Sequence, residues 1–126
     1  MKKALLIIFF SIFNIGCNQN NRPVIYYHSK IIELGDVEFN KSYHGKILLK
    51  NKGMGILKIT GVSADCSCTV PNMKKKKIIP GDSAYIDFIL TPAEDGFIQQ
   101  SIFVENNSVN ENRVLFLIRG KVRLLK

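Results

Sequence analysis

The chain has 126 residues, with 18 Lys and Arg against 10 Asp and Glu, three Cys, no Trp and two His. That length excludes a barrel enzyme, a dinucleotide-binding fold with a separate substrate domain, and any multi-domain machine. An apolar share of 46% with 22% charged residues excludes a disordered chain.

Lys2 and Lys3 give a positive start, and Ala4 to Phe13 is an apolar run broken only by Ser11. The run is shorter than the roughly 20 residues that span a bilayer and has the length of a signal-peptide apolar region. It ends at Asn14-Ile15-Gly16-Cys17, and a small residue before a Cys at this place resembles a bacterial lipobox. The resemblance implies a lipoprotein signal peptide over 1–16 and Cys17 as the acylated first residue of the mature chain. More than one acyl chain makes anchoring stable, so the protein is expected on a membrane surface without crossing it. The alternatives are an ordinary secretory signal, with Cys17 left as a thiol, and an uncleaved anchor. Residues 17–23 are polar, aperiodic and free of acidic side chains. They read as a tether, and the lack of acids leans toward a periplasm-facing position.

From residue 24 onward the apolar residues come in short clusters, with turn signals about every 8–12 residues. Val24 to His28 is an edge-strand candidate. Ile32 to Phe39 follows with a bend at Gly35, then Tyr43 to Lys50 and Leu57 to Ser63. Ala84 to Thr91 alternates, with Ile86, Phe88 and Leu90 toward a core. Phe97 to Glu105 does the same with Ile98, Ile102 and Val104. Arg113 to Leu125 closes the chain, with a bulge or bend expected at Gly120. Pro80-Gly81 suits a type II turn, and Asp95-Gly96 a tight hairpin turn. Seven or eight strands and no helix predict two packed antiparallel sheets over 24–126.

Asp65-Cys66-Ser67-Cys68-Thr69 is the most unusual stretch. In an extended backbone Cys66 and Cys68 share a face with Cα atoms about 6.5–7 Å apart, so a bridge needs a kinked backbone. Four readings stay open: a local disulfide, two half-buried free thiols, a redox pair, or a soft-metal site such as Cu(I) or Zn. A metal would need further ligands, and only His28 and His44 are available, without helpful spacing. The run Lys74-Lys75-Lys76-Lys77 reads as a solvated loop, with contact to anionic lipid or an acidic glycan as the functional alternative. No aromatic residues interleave with the basic ones, so nucleic acid is not expected as a partner. Neither a hydrolase elbow, a zinc-protease motif nor a phosphate loop is present. The expectation is therefore no enzyme, no cofactor and no resident metal.

The order Leu34-Gly35-Asp36-Val37, Gly45, Leu48 to Gly53, Leu57-Lys58-Ile59, Asp65 to Thr69, Ile79-Pro80-Gly81, Gly96 and Ile118 to Val122 resembles the domain of unknown function 1573 family. The likeness runs from about Ile32 to Val122. It implies an immunoglobulin-like antiparallel β-sandwich of seven or eight strands in a secreted or lipid-anchored protein typical of Bacteroidota, with no established activity. The expected function is a non-enzymatic, lipid-anchored module of the cell envelope. It would bind an envelope protein or glycan through a sheet edge or end loops. The alternative is a periplasmic thiol-redox or soft-metal protein acting through Cys66 and Cys68.

Overall fold

A computed structural model describes residues 21–123. The chain forms β1 (Ile25–Tyr26), β2 (Ile31–Glu38), β3 (Tyr43–Asn51), β4 (Leu57–Ala64), β5 (Thr69–Asn72), β6 (Lys77–Ile78), β7 (Ser83–Leu90), β8 (Gly96–Asn106) and β9 (Arg113–Arg123). One sheet has the order β1-β3-β7-β5 and the other β2-β9-β8-β4-β6. The fold is all-β and immunoglobulin-like, as the sequence led us to expect.

Period-two alternation explains the core. Ile86, Phe88 and Leu90 on β7 and Ile98, Ile102 and Val104 on β8 are buried between the sheets, against Leu49, Val114, Phe116 and Ile118. Tyr27 closes the side of this core with an edge-to-face contact to Phe116 at 5.2 Å between ring centroids. Among the described residues every buried apolar side chain lies between Ile25 and Val122. This segment therefore contains one continuous core of the size a domain of about 100 residues buries.

Four details differ from the sequence expectation. The described residues form nine strands, two more than the pattern shows, because β5 and β6 are too short to show one and Pro71 argues against a strand. The sandwich is mixed: after β1 the chain crosses to the other sheet, and β2 runs parallel to β9. The register shift falls in β2 between Glu33 and Asp36, at Gly35 with φ +71°, while Gly120 stays in regular pairing with Ile98. Asp95-Gly96 closes no hairpin, since β7 and β8 belong to different sheets. Gly96 still takes a positive φ of 89° at the entry to β8. Pro80-Gly81 does form the expected turn: Asp82 N–H donates to Ile79 O at 3.0 Å, with Gly81 at φ +81°.

Candidate functional site

The chain enters the sandwich at one end, and four loops meet there around a buried asparagine. Asn51 is fully buried. Its Nδ2 donates to Gly55 O at 2.7 Å and Ile78 O at 2.8 Å, and its Oδ1 accepts from Gly53 N–H at 2.9 Å. The entering segment is tied to the same loops: Met54 N–H donates to Arg22 O, Lys52 N–H to Val24 O and Val109 N–H to Pro23 O. Asn107 links the β8–β9 loop to β4, accepting from Lys58 N–H and donating to Ile56 O. The sequence marks Asn51-Lys52-Gly53 as a turn; its role as a hub follows only from the three-dimensional arrangement.

Lys74, Lys75, Lys76 and Lys77 lie at this end and all are exposed. Lys76 O accepts from Ile59 N–H at 2.7 Å, and Lys77 stands directly opposite Lys58 in the β4–β6 pair. Lys75 pairs with Asp82, and this hydrogen bond, with a second from Ser83 N–H, holds the Asp82 carboxyl below its usual range. Burial pushes the Glu111 carboxyl up, but hydrogen bonds from Lys30 and Tyr27 outweigh it, and its pKa also lies below the ordinary value.

Cys66 and Cys68 sit at the opposite end of β4, in a turn closed by Thr69 N–H donating to Cys66 O at 3.2 Å. The turn brings their Cα atoms to 5.2 Å, and the two sulfurs are joined. The extended-chain distance does not apply, because residues 65–68 are not a strand. A disulfide closing so small a loop contributes only about 1.6 kcal/mol through chain entropy. Both cysteines are half-buried and line a groove with Pro92, Glu94, Phe97 and Gln99. Phe97 and Gln99 also line a second shallow groove, of about 540 Å³, with Glu33, Asp36, Arg119 and Lys121. Phe97 is 85% exposed there, and sequence alternation alone did not single it out. His28 and His44 are exposed, His44 within β3 and His28 beyond the end of the neighbouring strand β1. Among the described residues no three His, Cys, Asp or Glu side chains converge as a metal site. Cys17 lies outside the described residues.

Among the described residues each of the four sheet edges is blunted. On β1, the Asn110 side chain donates to Ile25 O and accepts from Ile25 N–H, filling both outward groups. On β5, Thr91 N–H donates to Cys68 O, so alternation turns the backbone nitrogens of Thr69 and Pro71 outward. Pro71 has no N–H to offer there, and Thr69 N–H is already used. On β2, Ser29 Oγ accepts from Ile31 N–H, Tyr43 OH accepts from Glu38 N–H, and the irregularity at Gly35 interrupts the edge. β6 has two residues. Each device hinders a foreign strand from pairing.

A family model described as "Protein of unknown function (DUF1573)" matches residues 25–122. The comparison with curated proteins gives no match. A crystal structure of a protein of unknown function from Porphyromonas gingivalis W83 superposes with a TM-score of 0.73 at 16% identity. The match covers 86% of this chain and 51% of that one, so this chain spans about half its length. The ASH/PapD-like domain 7 of human CEP192 gives 0.69 at 12% identity, over 100% of this chain and 99% of that domain. A chaperone–tip adhesion subunit complex, CsuC–CsuE of Acinetobacter baumannii, gives 0.51 at 14% identity, covering 80% and 57%. At these identities the likeness is one of fold.

Proposed function

This chain belongs to the DUF1573 family, and from that premise we propose that it is a non-enzymatic binding module, acyl-anchored at Cys17 in the cell envelope and facing the periplasm. Its partner is an envelope protein, held on the outer face of β8 and β9 around Phe97. One observation carries this reading: the edges are blunted against strand pairing, while Phe97 stands 85% exposed between two grooves. The groove floor carries both signs of charge, with Arg119 paired to Glu33 and Arg123 to Asp36 at its β2 side. An aromatic anchor with a mixed-charge surround suits a protein surface. The PapD-like arrangement shared with a chaperone–adhesion subunit complex supports the same class of role.

The test is photo-crosslinking in cells, with p-benzoylphenylalanine in place of Phe97 or of Asn72 on the β5 edge. A discrete protein adduct is expected from position 97 and none from position 72, and Arg119→Glu should weaken it. An adduct from position 72 alone, or none from either, would contradict face binding. An adduct with glycan alone would reassign the partner.

A further inference from the structure

We propose that the end of the sandwich where the chain enters is a contact surface for an anionic lipid bilayer, so that the domain stands end-on with both sheet faces free. Four large apolar side chains project from three loops at this end: Met54 (69% exposed), Ile56 (47%), Ile79 (57%) and Val109 (57%). They come together because Asn51, Asn107 and the entering backbone bind these loops to one another. None of the four belongs to the core cluster. Apolar tips among basic side chains are the composition of an interfacial membrane contact.

The charge at this end is predominantly basic. Arg22, Lys52, Lys58, Lys74, Lys76 and Lys77 have no carboxylate partner among the described residues. Asp82 and Glu111 are taken up by Lys75 and Lys30, and Glu105, near the end of β8, is the one further acid close by. Lys58 and Lys77 face each other across β4 and β6. Like charges placed so repel, and an anion between them turns the repulsion into a binding site. A headgroup phosphate supplies that anion, and the acyl region below it takes the apolar tips. A soluble acidic glycan would satisfy the lysines and leave Met54, Ile79 and Val109 in water.

The position of the tether agrees. Three residues separate Cys17 from Asn21, and the four steps between their Cα atoms reach no more than about 14 Å. An acylated Cys17 therefore holds this end, and not the disulfide end, at the membrane. That orientation rests on the anchoring proposed above, but bilayer contact does not, so the experiment uses protein without an acyl group. Among the described residues the buried apolar side chains all lie between Ile25 and Val122, and residues 18–126 keep every one of them.

Co-sedimentation with vesicles of phosphatidylcholine containing phosphatidylglycerol is compared with vesicles of phosphatidylcholine alone. Binding to the anionic vesicles only is expected, falling steeply with added salt. Combining Lys74→Gln, Lys76→Gln and Lys77→Gln should weaken it on the order of a hundredfold. Met54→Ser with Ile79→Ser should weaken it severalfold while leaving the salt dependence in place. These loop-tip changes touch no core residue, so circular dichroism should be unchanged. The proposal is overturned if anionic vesicles do not bind, or if the lysine variant binds as the parent does. It is equally overturned if heparin binds as tightly as vesicles and the Met54→Ser, Ile79→Ser protein binds vesicles unaltered. Acylation of Cys17 is read separately from the mass of the membrane-bound protein.

Discussion

Asn51→Ala is expected to destabilise the domain by about 3–5 kcal/mol, a fall in Tm of roughly 15–25 °C for a domain of this size. The side chain is fully buried and serves two carbonyls and two amides, those of Gly53 at 2.9 Å and Val24 at 3.4 Å. Alanine leaves the oxygens of Gly55 and Ile78 and the N–H of Gly53 without this partner, and each unsatisfied buried group costs about 1–3 kcal/mol. Asn51→Asp separates hydrogen bonding from volume. It fills the same space and still accepts from Gly53, but it sets a second oxygen against two carbonyls. It should be at least as damaging as alanine. Urea unfolding of the three proteins makes the comparison, and a loss below about 1 kcal/mol for alanine would show that water takes over the network.

Gly53→Ala is expected to cost about 3 kcal/mol and to act first on the entering segment. A Cβ at this position would lie 2.2 Å from Arg22 O and 2.5 Å from Val24 N. Both are backbone atoms, so no side-chain rotation relieves the clash. The segment Arg22 to Val24 must move away, and the bonds from Lys52, Met54 and Val109 go with it. Amide exchange shows the order of events: these three amides should lose protection while β8 and β9 keep theirs. A uniform loss across both sheets would mean that the strain spreads into the core instead. Such a displacement would also disarrange the loops that carry Met54, Ile56 and Val109.

The long strands were legible because burial on one face imposes a period of two, and β3, β4, β7, β8 and β9 lie within a residue or two of their expected bounds. Pro80-Gly81 was legible for a similar reason, since a positive φ at the second position is a local demand. What depends on distant pairing was not. Nothing local distinguishes a β2 that joins β9 in parallel from one that continues beside β3. β5 carries Pro71, which reads as a stop, yet on an edge with its nitrogen outward a proline belongs in a strand. Asn51, Asn107 and Asn110 read as turn residues, and their polarity says nothing about which distant backbone groups they serve. The cluster of Met54, Ile56, Ile79 and Val109 spans more than 50 residues of sequence, so only the fold brings it together.

Mass spectrometry of the native protein, with thiols alkylated at the moment of lysis, bears most directly on the central claim. The expected result is a chain beginning at Cys17 with an acyl mass on that residue, and Cys66 and Cys68 joined to each other and unalkylated. A chain without lipid at Cys17 would contradict the anchored module. A Cys66–Cys68 pair that is partly alkylated, or that retains a metal, would move the function from binding to thiol or metal chemistry.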